Sequence, residues 1–166
     1  MPKIIKDGGI VEDKALIVEQ DAAEGFAADQ GERCFLPLTR WREGYPNFDG
    51  FRVRPGIWIE ADEHLDDLEP YLSDVPAIAV RFSSFADGSG FSTGALLREV
   101  YGFEAELRAC GELIADQALQ LRRCGFNAIA LKEGECLQMA LSMLLGSGLT
   151  YQGSVYSPRT PFRFRF

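Results

Sequence analysis

The stretch that decides the fold starts with AIAVRF at residues 77–82 and continues with AELRA at 105–109 and NAIAL at 127–131. Each of these apolar runs has the length of a buried strand, and a segment with apolar residues at helical spacing follows it. The three helices predicted in this way span residues 92–101, 112–124 and 135–145. Strands that alternate with helices over short links are typical of right-handed crossovers onto a parallel sheet. The sequence therefore predicts three βα units on a parallel sheet.

The chain before residue 76 is less regular and richer in strand signals. Short apolar runs predict strands at residues 3–6, 10–12, 16–18, 34–38 and 56–60. Glycines and prolines between residues 39 and 56 predict loops there. Three leucines repeat at helical spacing within the acidic segment at 62–73, which predicts a helix.

We therefore predict an α/β fold in a single domain, residues 1–166. It consists of a β-rich N-terminal portion at 1–75, three βα units at 76–146 and a tail at 147–166. An open layered sheet and a partial (β/α) barrel both repeat the same βα unit, so the pattern is compatible with either architecture.

The composition is that of an ordinary globular protein: 46% of the residues are apolar, 25% are charged, and the net charge is -8. An acidic chain is a poor partner for nucleic acid, since phosphate binding needs a basic face. The apolar runs are far shorter than the roughly 20 residues of a membrane-spanning helix, and the N-terminus lacks the apolar stretch of a signal peptide. We therefore expect a cytoplasmic protein that binds neither nucleic acid nor membrane.

The cysteines and the single histidine give no sign of a metal or redox centre. Cys34, Cys110, Cys124 and Cys136 are too far apart in sequence to form a CxxC motif. We interpret the last three as small core residues. His64 is the only histidine and lies in an acidic segment, so we expect it to be a solvated residue and predict no metal site.

The clearest candidate site is the loop at 82–94, which runs from a predicted strand into a predicted helix. Its glycines permit close backbone approach, and a helix that starts at Ser92 would present unpaired N–H groups with partial positive charge. Arg81 and Arg108 lie in adjacent predicted strands and could bind an oxyanion or a carboxylate in bidentate fashion. The arrangement predicts a site for a small anionic ligand.

The predicted ligand-binding residues are Arg81, Asp87, Gly88, Gly90, Ser92, Arg108 and Gln117. Asp116 is the candidate acid or base, although helix-dipole complementarity alone would explain an acid at a helix start. The glycines are also compatible with a tight turn, Ser92 with a helix cap, and the arginines with ion pairs to Glu106, Glu112 or Asp116. A charged residue on a central strand needs a partner, and for Glu106 we expect Arg81.

Two further patterns have weaker implications. Gly88, Gly90 and Gly94 are similar to a variant dinucleotide-binding fingerprint, but the spacing differs from GxGxxG. In the tail, residues 160–166 alternate phenylalanine with arginine, and such a segment is expected to dock rather than stay in water. Docking on the same domain and pairing with a second subunit, which would make a homodimer, are both open.

Several motifs in order resemble a bacterial family of unknown function. They are FADGSGFS at 85–92, LRE at 97–99, ELRA at 106–109, DQ at 116–117 and RCGF at 123–126. The genes of that family commonly neighbour those of assimilatory sulfite reductase, and its members are often labelled as oxidoreductases of sulfite reduction. The polar positions shared with the family are Asp87, Arg98, Glu106, Arg108, Asp116 and Gln117. Ser89 and Phe91 stand where the family usually has Arg and Tyr.

The resemblance implies a pathway but no particular reaction or cofactor. The first hypothesis is an accessory protein of sulfate or sulfite reduction that binds an oxyanion or a phosphorylated ligand at the 83–94 loop. The second is a nicotinamide- or flavin-dependent oxidoreductase. The third is a non-catalytic protein partner of sulfite reductase, which the acidic first half and the aromatic tail would suit.

Overall fold

The computed structural model describes residues 2–21, 33–49, 51–86, 88–146 and 154–155. Its strands are β1 (Lys3–Lys6), β2 (Gly9–Glu12), β3 (Leu16–Ile17), β4 (Cys34–Pro37), β5 (Gly56–Glu60), β6 (Ala77–Phe82), β7 (Glu106–Gly111) and β8 (Ala128–Ile129). Its α-helices are α1 (Leu38–Gly44), α2 (Ser89–Glu99), α3 (Ala118–Arg123) and α4 (Leu137–Gly146). The fold is mixed α/β, as predicted.

The eight strands form one sheet in the order β2-β1-β8-β7-β6-β5-β4-β3. From β3 to β8 all neighbours are parallel and follow one another in sequence, whereas β1 is antiparallel to both β8 and β2. Successive crossovers therefore all move in the same direction, as they do in a (β/α) barrel. The described strands contain no reversal of order, which is the feature that creates the dinucleotide crevice of doubly wound folds.

The sheet is curled into a partial barrel, and its two edge strands lie close together. Only Asp13, Lys14 and Ala15 separate the end of β2 at one edge from the start of β3 at the other. Four residue steps span at most about 14 Å, so the end of β2 and the start of β3 are no farther apart than that. The segment is anchored on both sides, because the Asp13 N–H donates to Pro2 O and the Leu16 N–H donates to Arg33 O.

The two faces of the sheet have different partners. The outer face packs against the helices and forms the main core, whose largest buried side chains include Trp41, Phe82 and Phe126. The inner face carries a small apolar cluster of Phe35, Trp58, Ala77, Ala79 and Cys110. Alternate residues of a strand point to opposite faces, so the charged residues in register with this cluster also lie on the inner face.

The observed elements differ most clearly from the predicted ones in three places. The acidic helix expected near 62–73 is instead two short 3₁₀ turns, Leu65–Asp67 and Glu69–Tyr71, because Pro70 lacks an N–H and restricts the residue before it. Helix α1 occupies part of the predicted loop at 39–56. The second helix of the βα units is divided into a 3₁₀ turn, Ala115–Gln117, and α3.

Among the residues that the structure describes, no helix combines the length and the apolar character that a membrane crossing requires. The segment at 160–166, for which docking or dimer formation is predicted, lies outside the described residues.

Candidate functional site

The inner face of the partial barrel is organised around Glu106, at the start of β7. One carboxylate oxygen of Glu106, Oε2, accepts from Lys6 Nζ at 2.7 Å and from Arg33 Nη1 at 2.8 Å. The other oxygen, Oε1, accepts from Arg108 Nε at 3.1 Å. Only 7% of Glu106 is exposed. Three cations therefore converge on one buried carboxylate.

Arg108 is buried between this carboxylate and the segment that joins the two sheet edges. Its Nη1 donates to Asp13 Oδ2 at 2.9 Å, and its guanidinium carbon lies 4.9 Å from the centroid of the Phe35 ring. The alternative that Arg108 pairs with Glu106 is confirmed. Arg108 thus holds the Asp13 end of the crossing segment against the inner face.

Arg81 lies on the same face but at the carboxyl end of β6. Its Nε and Nη2 donate to Glu60 Oε1 at 3.0 and 2.5 Å, and its Nη1 donates to both oxygens of Glu19. The guanidinium stacks over Trp58, 4.1 Å from the ring centroid. The hydrogen bond to Glu60 is the main reason why the pKa of Arg81 is raised, against the effect of desolvation. Two carboxylates compensate its charge.

The expected pairing of Arg81 with Glu106 is wrong. In the register between β6 and β7, Glu106 lies opposite Ala77, and Arg81 lies opposite Cys110 at the other end of the sheet. The two side chains lie on the same face of the sheet but at opposite ends of the strands. The crossover geometry sets this register, and the strand sequences alone do not reveal it.

The predicted anion loop lies beside the opposite face. Helix α2 begins at Ser89 rather than at Ser92, which is an exposed residue within its first turns. Gly90 is buried, and a Cβ built on it would overlap the Phe82 ring on the outer face. The start of α2 and the side chains of Arg81 and Arg108 are therefore on different sides of the sheet. Asp87 lies outside the described residues.

Gln117 connects the loop to the neighbouring βα unit. Its Nε2 donates to Phe85 O at 3.4 Å, and its Oε1 accepts from the Ile114 N–H at 3.0 Å. The structure thus brings Gln117 next to the loop, as the site prediction requires. Asp116 is exposed on the same 3₁₀ turn.

Arg98, which is shared with the family pattern, connects α2 to two loops through hydrogen bonds. Its Nε donates to Gly125 O at 2.9 Å, its Nη1 to Phe103 O, and its Nη2 to Asn127 Oδ1 at 3.3 Å. These acceptors belong to the loops at the two ends of the β7–α3 unit. Arg98 therefore has a structural role that explains its presence without a ligand.

A cavity of about 220 Å³ opens at the carboxyl end, next to Arg81. Glu19, Asp21, Glu60 and Glu63 line it, so carboxylates outnumber the one guanidinium. Burial raises the pKa of Glu63, and the nearby Glu60 carboxylate adds to the increase. We did not identify this acidic cluster from the sequence, although the position of Glu60 at the end of a predicted strand was a signal for it.

The predictions for the cysteines and the histidine were correct at some positions and wrong at one. Cys110 is buried, and burial raises the pKa of its thiol to about 11, which keeps it protonated near neutral pH. Cys136 is exposed, so its interpretation as a core residue is wrong: it precedes α4 rather than packing under it. His64 is exposed, as expected. Within the described ranges, no cluster of His, Cys, Asp and Glu has the arrangement of a metal site.

The packing role of Gly90 leads to a testable expectation. Gly90→Ala should lower the free energy of unfolding by about 1–3 kcal/mol, because its methyl group meets the buried Phe82 ring. Gly88→Ala is the matched control, since an added Cβ there has nothing within 4 Å and the backbone φ is -82°. Urea denaturation of both variants measures the difference. Equal stability of the two proteins would contradict the packing role.

Comparison with known proteins gives one match, which is to a family model and covers most of the chain. No curated protein and no solved structure matches it. The sequence model of a family described as a bacterial protein of unknown function, DUF934, matches residues 56–162. That range includes β5 to β8, α2 to α4 and the motifs whose resemblance to a bacterial family is described above. Since the match spans more than half of the sequence, the chain belongs to the DUF934 family of bacterial proteins of unknown function.

Proposed function

We propose that this protein is an accessory protein of assimilatory sulfate and sulfite reduction that binds a small oxyanion or a phosphorylated ligand. The pathway rests on the resemblance to a family whose genes neighbour those of sulfite reductase. The ligand class rests on one observation: the eleven-residue helix α2 starts directly after the loop at the carboxyl end of β6, within the curled parallel sheet. Ligands of α/β proteins bind at this end of the strands.

The chemistry of the loop supports an anionic ligand. The first N–H groups of a helix have no partner within the helix and carry partial positive charge. Gly88 is exposed and has open space around it, so a ligand can approach the backbone closely. Gln117 lies against the loop and adds a side-chain amide. A tetrahedral oxyanion suits such a group of N–H donors.

The two arginines contribute unequally to this proposal. Arg108 is buried and bound to Glu106 and Asp13, so we assign it a supporting role. Arg81 directly precedes the end of β6, and its ion pair with Glu19 involves a side chain that is 56% exposed. Because its side chain lies on the inner face, across the sheet from the start of α2, Arg81 does not contact a ligand at the loop, and the proposed donors are the loop backbone and Gln117.

Isothermal titration with sulfite, sulfate and adenosine 5′-phosphosulfate tests the proposal. We expect binding of at least one of these anions to the intact protein. Ser92→Asp places a carboxylate in the first turns of α2 and should weaken that binding by at least about fivefold through repulsion. Ser92→Asn, which has nearly the same size and no charge, is the matched control and should bind like the original protein. No heat with any anion, or equal affinities of all three proteins, would contradict the proposed site.

A further inference from the structure

A second cavity, of about 490 Å³, lies beside α1 in the outer layer. Its volume is in the range of sites for small molecules. Arg40, Glu43, Phe48, Asp49 and Phe51 are among the residues that line it. It shares no lining residue with the loop at 83–88 or with α2, so it is separate from the site proposed above.

Arg40 is the unusual member of this cavity. Its Nη1 is buried and has no hydrogen-bond acceptor, and no ion pair of its guanidinium occurs in the described part of the chain. Buried donors are almost always paired, and leaving one unpaired is unfavourable. By contrast, Arg81 and Arg108 each have two carboxylate partners. The described residues therefore supply no acceptor for Nη1 of Arg40.

The same cavity contains two carboxylates, those of Glu43 and Asp49. Glu43 follows Arg40 by three positions on α1, and Asp49 lies in the turn after the helix. Within the described ranges, neither carboxylate forms an ion pair with the guanidinium. The cavity is therefore lined by one guanidinium and two carboxylates that are not paired with it.

The remaining wall is apolar. Phe48 is 5% exposed and stacks at a tilt on Trp41, with 4.8 Å between the ring centroids. A Cβ built on Gly44 would lie 3.0 Å from the Phe48 ring, so the helix and the ring are already in close contact. Phe51 packs against the main core and completes this wall. The ring is therefore held in place and offers a preformed surface.

We propose that this cavity binds a zwitterionic small molecule of the α-amino acid class. The ligand carboxylate accepts from Arg40, its ammonium group donates to Glu43 or Asp49, and its side chain packs on Phe48. A simple anion would meet the two carboxylates, and a simple cation would leave Arg40 without an acceptor. Nη1 itself is covered in the structure, whereas Arg40 as a whole is partly exposed and lines the cavity, so the proposal includes a rotation of the Arg40 side chain towards the ligand.

Thermal-shift measurements and isothermal titration with the standard L-amino acids test this site on the full chain. We expect at least one amino acid to raise the Tm and to bind. For that amino acid, the amine that lacks the carboxylate and the acid that lacks the amino group should each bind at least about tenfold more weakly, because each loses one charged contact. If no amino acid binds, or if the amine binds as tightly as the amino acid, the proposal is wrong.

Two variants identify the residue responsible. Arg40→Met should reduce the affinity for the amino acid at least about tenfold and should not lower the Tm of the free protein, because it removes an unpaired donor. Arg42→Met is the matched control on the same helix, since Arg42 lies over the Tyr71 ring and does not line the cavity. Unchanged binding to Arg40→Met would refute the assignment. Saturating sulfite should leave amino acid binding unchanged, so this test stands independently of the proposed oxyanion site.

Discussion

Glu106→Ala is expected to lower the free energy of unfolding by about 3 kcal/mol, which is a large part of the stability of an ordinary domain. The variant removes the one carboxylate on which Lys6, Arg33 and Arg108 converge. The side chains of Lys6 and Arg33 are about a third exposed and can turn towards water. That of Arg108 is only 6% exposed and cannot, so its loss of a partner dominates.

Urea denaturation at neutral pH measures this effect. Glu106→Gln keeps the size and the acceptor oxygen but not the charge, and it should have a stability between those of the other two proteins. Glu12→Ala removes a carboxylate from the exposed end of β2 and is expected to change stability by less than about 0.5 kcal/mol. If Glu106→Ala were as stable as Glu12→Ala, the inner-face cluster would not be a source of stability.

The contribution of Glu106 to the free energy of unfolding depends on pH. Burial alone would raise the pKa of Glu106, but the hydrogen bond from Lys6 and the charges of Arg108, Lys6 and Arg33 outweigh it and hold the pKa below its usual value. A carboxyl with a lower pKa in the folded state contributes stability that is complete above its unfolded pKa of about 4.3 and is lost as the pH falls through the folded value. The stability difference between the original protein and Glu106→Gln should therefore shrink below about pH 4.

Gly111→Ala should destabilise the fold by about 2–5 kcal/mol, through two effects that act together. Gly111 ends β7 with a φ of +103°, which is unfavourable for any residue with a side chain. A Cβ at this position would also overlap the carbonyl oxygen of Phe82 on the neighbouring strand. Because that atom belongs to the backbone of a central strand, it cannot move aside without disturbing the sheet.

Gly102→Ala separates the two effects. Gly102 also has a positive φ, +66°, but nothing lies within 4 Å of an added Cβ, so only the backbone strain of about 1 kcal/mol is expected. Thermal and urea denaturation of both variants give the comparison. If the two alanine variants lost the same stability, the close approach to Phe82 would have no energetic effect.

Local sequence patterns predicted the strands better than they predicted the charged pairs. The boundaries of β5 and β6 agree with the structure because each is a short apolar run bounded by polar or turn residues. The helices were predicted less accurately, since Pro70 interrupts a segment whose leucines have helical spacing. The choice of a partial barrel depends on how the two edges meet, which no single βα unit reveals.

The inner-face cluster could not be derived from the sequence because its members are distant along the chain. Lys6 and Glu106 are 100 positions apart, and Asp13 and Arg108 are 95 apart. Only Glu106 and Arg108, two residues apart on one strand, were recognised as possible partners. Arg40 was not singled out, because an unpaired guanidinium is visible only when its surroundings are known.

The position of β1 between β2 and β8 has a consequence for synthesis on the ribosome. Ile5 lies beside Ile129 in the finished sheet, so the first hairpin cannot acquire its neighbour until most of the chain has been translated. At roughly 5–20 residues per second, the intervening stretch takes about 6–25 s to emerge. During that interval, the side of β1 that β8 later covers has no neighbouring strand, and an unpaired strand edge is a place where other chains can pair.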